Sequence, residues 1–259
     1  MPDFDISTPQ SARIWNYWLG GADNYAVDRE AGDAAAAQIP DIPEGARAER
    51  AFLVRAVRHL VDRGVRQFLD VGTGLPTANN THEVAQRLAP ESRVVYVDND
   101  PIVLAHARAL LTSTPEGRTD YLDADLRRPD EILPEAERTL DFDQPVGLML
   151  LGVVNHVVDD AEAHAAVADL LAGLAPGSYL VLTHSTAEIH GEPMREAMRE
   201  ITERGGTPIR PRTAAEIEEF FKGTTLLEPG VVTCSLWRPD DGIRTPRPVH
   251  LFGGVGRLD

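Results

Sequence analysis

Cysteine, lysine and long apolar runs are nearly absent from this 259-residue chain, and each shortage removes a class of chemistry. Cys234 is the sole cysteine, which excludes an internal disulfide and any zinc or iron–sulfur site built on several cysteines. Lys222 is the sole lysine, at an expected helix end, so Schiff-base chemistry lacks a ready nucleophile. The longest apolar stretch, Val146 to Val154, falls far short of the roughly 20 residues that span a bilayer and reads as a buried strand. The 8 histidines form no HExxH or comparable cluster, and no bound metal is expected. Positive charge is also scarce. A formal net charge of −16 repels polyphosphate backbones and anionic membranes, so neither nucleic acid nor a membrane is an expected partner. The opening MPDFDISTPQ has neither the basic start nor the apolar core of a secretory signal, and the expectation is a cytoplasmic protein.

What is present divides into two textures. Residues 1–63 read as a helical cap or lid. Ile14, Trp15, Trp18 and Leu19 recur at helical spacing, Gly20-Gly21 breaks the pattern, and Asp23-Asn24 begin a second helix, so the segment predicts a hairpin. A third helix carries the apolar stripe Phe52, Leu53, Val57, Leu60 and Val61 and stops at Gly64. Residues 64–259 alternate short apolar runs with helical segments. Strands are predicted at Val65 to Val71, Val94 to Val97, around Tyr121 and Leu122, Val146 to Leu151, and Tyr179 to Thr183. This rhythm predicts an α/β fold with a mostly parallel sheet covered on both faces. Val231 to Trp237 and Val249 to Gly253, joined by RPDDGIRTPRP with no helix between them, predict an antiparallel edge.

Candidate binding residues cluster at strand ends, where open parallel sheets take their ligands. FLDVGTGLP begins like a dinucleotide loop but runs into Pro76 and Thr77 where the third glycine is due. Asp70 stands directly before Gly72 and Gly74; a carboxylate there is a poor neighbour for pyrophosphate and a good one for an ammonium group. Asp98, closing the second strand, is placed to accept two ribose hydroxyls. Asp125 can accept from an adenine amino group while the Leu126 amide donates to the ring. Asn80 and Glu83 read as a capping box, so the next helix starts late and the loop is longer than the minimal form.

Together FLDVGTGLP, VVYVDNDP, YLDADL, LLGVVNHV and LAPGSYLVLTH resemble class I S-adenosylmethionine-dependent methyltransferases. PQSARIWNYWLGGADNYAVD, ERAFLVRAVRHL and DVGTGLPTANNTHEVA resemble, more narrowly, a bacterial family formerly catalogued as a domain of unknown function and now labelled S-adenosyl methyltransferase. The resemblance covers nearly the whole chain. It implies a Rossmann-like methyltransferase fold with a seven-stranded sheet, and S-adenosylmethionine as cofactor, but no particular acceptor. Carried onto this sequence, it implies that Asp70, Gly72, Thr73 and Gly74 hold the amino-acid part, Asp98 the ribose, Asn99 the adenine edge, and Asp125 with Leu126 the base. Gly152 and Val153 then lie near the methyl donor.

Methyl transfer from a sulfonium is an in-line displacement, and a base is needed only where the acceptor must lose a proton. His156 is the first candidate base. Tyr17 and Tyr25, beside the Gly-Gly break, are candidate acceptor contacts from a lid, whereas Trp15 and Trp18 read first as core of the hairpin. Asp159-Asp160 read as a helix cap. The expected function is methylation of a small molecule. Two rivals remain open at this point: a non-catalytic sensor of the same cofactor, and an enzyme that uses the sulfonium for a different displacement.

Overall fold

A computed structural model describes residues 6–110, 112–240, 242 and 246–259. Leu111, the start of the N-terminal segment, and positions 241 and 243–245 of the Pro-rich turn lie outside the described residues. Three helices come first: α1 (Ser11–Trp18), α2 (Ala26–Gln38) and α3 (Ile42–Asp62). Then follow β1 (Gln67–Val71), α4 (Thr81–Leu88), β2 (Arg93–Asp98), α5 (Pro101–Leu110), β3 (Arg118–Asp123), α6 (Pro129–Ala136), β4 (Val146–Leu151), α7 (Asp160–Ala172) and β5 (Tyr179–Ser185). The last third holds α8 (Glu192–Glu203), α9 (Ala214–Glu218), β6 (Thr224–Leu226), β7 (Val232–Thr233) and β8 (Leu251–Leu258).

Among the described residues the strands form one sheet in the order β3-β2-β1-β4-β5-β8-β6, with β7 pairing onto β8 beside this path. The first five are parallel; β8 runs antiparallel to β5, β6 and β7. Six of the seven expected strands lie on this path; the expected Val231 to Trp237 strand is reduced to β7 beside it, and the seventh place is taken by β6, which the sequence did not announce. Strand order reverses between β1 and β4, which opens a crevice at their carboxyl ends.

Both faces of the sheet are buried because successive side chains alternate sides. Phe68, Val94, Met149 and Val181 pack with Phe52, Val57 and Leu60 of α3. Leu69, Val95, Leu148 and Leu180 face Ile132, Val167 and Leu170 of α6 and α7. At roughly 1.5–3 kcal/mol for each fully buried large apolar side chain, the stripe on α3 alone ties that helix firmly to the sheet. Its first turns, through Ile42 and Ala46, join a third cluster with Ile14 and Trp18 of α1, Ala31 and Ala35 of α2, and Met194, Met198 and Ile201 of α8. Helix α3 therefore belongs to both layers, and the α1–α2 hairpin packs on its own chain.

The C-terminal edge departs from expectation. Val231 to Trp237 is not one strand; β7 ends at Thr233, and Cys234–Leu236 form a 3-10 turn. The cause is α3. Trp237 inserts edge-on against Phe52, with ring centres 5.3 Å apart, and Arg55 donates to the carbonyls of Cys234 and Trp237 at 2.7 and 2.9 Å. A side chain satisfies those carbonyls, so no ladder is required. Two caps follow the sequence: Asn80 and Glu83 close a capping box on α4, and Thr213 with Glu216 does so on α9.

Candidate active site

A cavity of about 510 Å³ opens over the carboxyl ends of β1 to β5 beneath the α1–α2 hairpin. That volume lies within the usual range for small-molecule sites. Asp70, Gly72, Thr73, Gly74, Asp98 and Asn99 line it, and so do Asp125, Leu126, Gly152, Val153 and His156. Tyr17 and Tyr25 do not. Tyr17 turns to the outer side of the hairpin, where its hydroxyl donates to Asp33 at 2.7 Å. Tyr25 is the exposed N-cap of α2, with Arg13 stacked over its ring. The α1 face that meets the cavity instead carries Ile14, Trp15, Trp18 and Leu19. The tryptophans, read first as core, serve both purposes, meeting edge to face at 5.6 Å.

The glycine loop after β1 is closed by its own bonds. The amides of Gly72 and Thr73 both donate to Val97 of β2, at 2.8 and 3.3 Å, and the Gly74 amide donates to Asp98 Oδ2 at 2.9 Å. In a dinucleotide loop such amides face pyrophosphate. Here three successive amides are spent inside the protein, and α4 begins only at Thr81. Gly72 and Gly74 hold φ near +76° and +66°. A Cβ at Gly72 would stand 2.3 Å from Val153, so the loop seats directly on the end of β4. The longer loop beyond Gly74 also has a packing role: Leu75 is buried with Ile102 and Val103 of α5, with Ala12 of α1 beside them.

The acids behave differently from one another. Asp70 is buried and accepts from Thr81 Oγ1 at 2.6 Å; burial pushes its carboxyl up to about 6, against the opposing pull of Thr81 and Arg50. Asp98 is raised by burial, while the amides of Asp100 and Gly74 favour its charged form. Asp125 is held down to about 2, first by its hydrogen bonds from Arg127. Arg127 grips both Asp125 oxygens, at 2.9 and 2.6 Å, and Asn99 Nδ2 lies 3.2 Å from Oδ2. For Asp125 to take an adenine amino group, one of these donors must yield.

Three features of the site were silent in the sequence. Glu49 and Arg50, on α3, line the cavity. Glu49 is buried and accepts from Thr183 Oγ1 at the end of β5, and burial pushes its carboxyl up to about 7. A Cβ on Gly152 would lie 3.2 Å from Glu49 Oε1, so this carboxylate reaches the end of β4 as well. The third feature is Arg212, which is 1% exposed and donates to the carbonyls of Val154 and Val157 and to Asp160 Oδ1. It staples the 3-10 turn Val154–His156 in place. Of the expected cap pair, Asp159 does cap α7, accepting from the Glu162 amide at 2.9 Å, but Asp160 serves Arg210 and Arg212.

His156 Nδ1 lies 3.0 Å from the Pro208 carbonyl, which as an acceptor fixes the proton on Nδ1 and leaves the lone pair on Nε2. Burial lowers its pKa, so the ring is neutral at pH 7. His184 lies deeper, between the Ser185 carbonyl and Arg212, and burial brings it down to about 3. It is a structural residue.

Solved structures resemble this chain over most of its length. A DUF574 family protein from Streptomyces avermitilis MA-4680 is 48% identical, with a TM-score of 0.93 covering 98% of this chain and 99% of that one. A methyltransferase candidate from Thermobifida fusca YX is 40% identical, with a TM-score of 0.90 covering 99% and 97%. At 15% identity, magnesium protoporphyrin IX methyltransferase from Synechocystis PCC 6803, solved with bound S-adenosylhomocysteine, covers 95% of this chain and 93% of its own with a TM-score of 0.55, which shows a shared fold. None of the curated proteins compared with it matches. The family described as S-adenosyl methyltransferase matches residues 1–259, and by that match the chain belongs to it, as an α/β protein of the class I methyltransferase fold.

Proposed function

We propose that this S-adenosylmethionine-dependent methyltransferase acts on a small molecule enclosed between the strand ends and the helical hairpin. The observation that carries the reading is the continuity of one cavity from Asp98 and Asp125 to Ile14, Trp15 and Leu19 of α1. Such a roofed space suits a small acceptor. The net charge of −16 argues in the same direction, away from nucleic acid.

The residues present fit the cofactor. The loop amides are closed to pyrophosphate, while Asp70 offers a buried carboxylate for an ammonium and Arg50 a cation beside it for a carboxylate. Gly74 leaves open space on its Cβ side, so a ligand approaches the backbone there unhindered. In this reading Asp70 and Arg50, with the Gly72-Thr73-Gly74 loop, hold the amino-acid part and Asp98 the ribose. Asn99, Asp125 and Leu126 border the adenine, and Gly152 with Val153 flank the reacting end. S-adenosylmethionine, when bound, supplies an electrophilic methyl on its sulfonium. The chain supplies position, a dry site and a place for a proton. Its α1–α2 hairpin, within residues 1–63, is the lid; residues 64–259 supply the cofactor site apart from Arg50; α3, which carries Arg50, joins the two. His156 offers Nε2 as an acceptor contact, on a turn that Arg212 holds rigid. The same reading places the protein in a bacterial cytoplasm.

The test is a panel of metabolites, proteins and RNA scored for S-adenosylhomocysteine release. Turnover confined to a small-molecule fraction supports the reading. Methylation of protein or RNA alone, or methylthioadenosine as product, would overturn it, and cofactor binding without any turnover would indicate a sensor.

A further inference from the structure

The cavity's charged side chains are unevenly distributed. Asp70, Asp98, Asp100 and Asp125, with Arg127, stand at the ends of β1, β2 and β3. The wall beyond β4 is apolar: Ile14, Trp15 and Leu19 from α1, Ile201 from α8, and Pro208 with Ile209. Its polar groups, among them Asn155, the neutral imidazole of His156, Ser185 and Thr207, carry no charge, and Glu49 is the acid that meets it, between the ends of β4 and β5, with Arg50 next to it on α3.

Glu49 is also under-used as a structural group. A carboxylate offers roughly four lone-pair positions, and among the described residues Thr183 makes its one hydrogen bond. No ion pair within 4.0 Å involves it there. Arg50, its chain neighbour, acts on it through space; Cys234, facing it from the turn after β7, is kept as a neutral thiol by burial. A buried acid left in this state is unfavourable unless a cation or a proton joins it.

We infer that Glu49 receives the acceptor's proton, and that the acceptor is an amine borne on an apolar or aromatic body and entering as its ammonium. This rests on the methyltransferase reading above. The ammonium pairs with Glu49, its apolar body lies against Trp15 and Leu19, and an anionic acceptor is repelled. The proton passes from nitrogen to a Glu49 oxygen, which exposes the nitrogen lone pair. That pair forms the new N–CH₃ bond while the S–CH₃ bond breaks and its electrons remain on sulfur; the N-methylated product leaves as a cation and Glu49 keeps the proton until it is lost to solvent. Burial, which favours the neutral acid, favours this acceptance.

The test is calorimetric titration with benzylamine and with benzyl alcohol, both in the presence of S-adenosylhomocysteine. Wild-type protein is expected to prefer the amine, Glu49→Gln to lose about tenfold or more in amine affinity, and alcohol affinity to be the same in both. Amine affinity should rise with pH as Glu49 ionises. This rise should vanish in Glu49→Gln and move to higher pH in Thr183→Val, because Thr183 stabilises the charged form. Equal amine affinity in wild type and Glu49→Gln, a preference for the alcohol, or no binding of either probe overturns the inference. Retained affinity of Glu49→Gln for S-adenosylhomocysteine confines such a failure to the acceptor, whereas wild-type protein that does not bind S-adenosylhomocysteine sinks the methyltransferase reading itself.

Discussion

The two walls of the cavity are built on opposite principles. The wall at β1, β2 and β3 consists of backbone and acids, with loop amides locked to Val97 and Asp98 and an Asp125–Arg127 fork. The wall under α1 and α8 consists of apolar side chains held by packing and by one buried ion pair remote from the cavity floor. Arg13 Nε meets Asp28 Oδ2 at 2.9 Å, with side chains 1% and 0% exposed. Asp28 also accepts from the amides of Gln10 and Tyr25 at 3.0 and 2.9 Å. The strand-end wall, proposed to hold the cofactor, is fixed by backbone and side-chain hydrogen bonds, whereas the wall proposed to meet the acceptor is fixed mainly by apolar packing.

The strongest way to break this comparison is to unhook the α1–α2 hairpin, the proposed lid. Asp28→Ala leaves the Arg13 guanidinium buried without its carboxylate, which is expected to destabilise by about 3–5 kcal/mol. Hydrogen exchange should show the loss concentrated in α1 and α2, with β1 to β5 still protected and S-adenosylhomocysteine affinity retained. Uniform loss of protection across the sheet would mean that the hairpin is part of the same cooperative unit.

The second test uses pH. Glu49 is raised from 4.5 to about 7 by burial, so the folded protein binds its proton more tightly than the unfolded chain. Stability from this group is therefore fully present below about pH 4.5 and is lost as pH rises toward 7 and above, a difference of roughly 3 kcal/mol. Glu49→Gln removes that dependence, and the variant should melt above wild type at pH 8, with the gap closing by pH 5. A gap independent of pH would show that Glu49 is ionised throughout.

The third test addresses the polar wall. Asp98 accepts the amides of Gly74 and Asp100 and is the proposed ribose acceptor. Asp98→Ala removes charged acceptors worth about 1.5–3 kcal/mol each, so cofactor affinity is expected to fall by roughly 100-fold in a calorimetric titration. Unchanged affinity would show that the ribose sits elsewhere.

How far the sequence revealed each wall follows from the same contrast. Asp70, Gly72, Gly74, Asp98 and Asp125 sit at the ends of strands whose apolar runs are local signals, so their convergence follows from the parallel sheet alone. Glu49 gains its meaning from Thr183, 134 residues away, and its own neighbourhood reads simply as a helix with an apolar stripe. Arg212 is silent for the same reason, since its partners Val154, Val157 and Asp160 come from a different part of the chain. The tyrosines of the hairpin misled because spacing shows which residues share a helix face but not which face a neighbouring layer will cover. Val231 to Trp237 misled because β-branched composition favours a strand, while Arg55 and Trp237 impose a turn.

Between the walls stands His156. With Nδ1 on the Pro208 carbonyl, its Nε2 remains available in the cavity and is the proposed acceptor contact. His156→Ala is expected to lower kcat by about tenfold, equivalent to roughly 1.4 kcal/mol, with S-adenosylhomocysteine affinity unchanged. An equal loss of cofactor affinity would move this residue to the polar wall.

The smallest effect sharpens the assignment of the hairpin's cavity-facing side. Tyr17 packs its ring against Gly32, where a Cβ would approach Tyr17 Cδ1 to 2.9 Å, and its hydroxyl reaches Asp33 on the outer side of the hairpin. Tyr17→Phe keeps the ring and removes one exposed hydrogen bond, worth at most about 0.5–1.5 kcal/mol. Thermal unfolding should shift slightly and turnover should not change. Trp15→Ala removes an aromatic side chain from the cavity and should raise the acceptor KM several-fold while leaving the Tyr17–Asp33 bond intact. If the two variants exchanged these effects, the hairpin would have to present its opposite face to the acceptor, and the apolar wall would have to be redrawn around Tyr17 rather than Trp15.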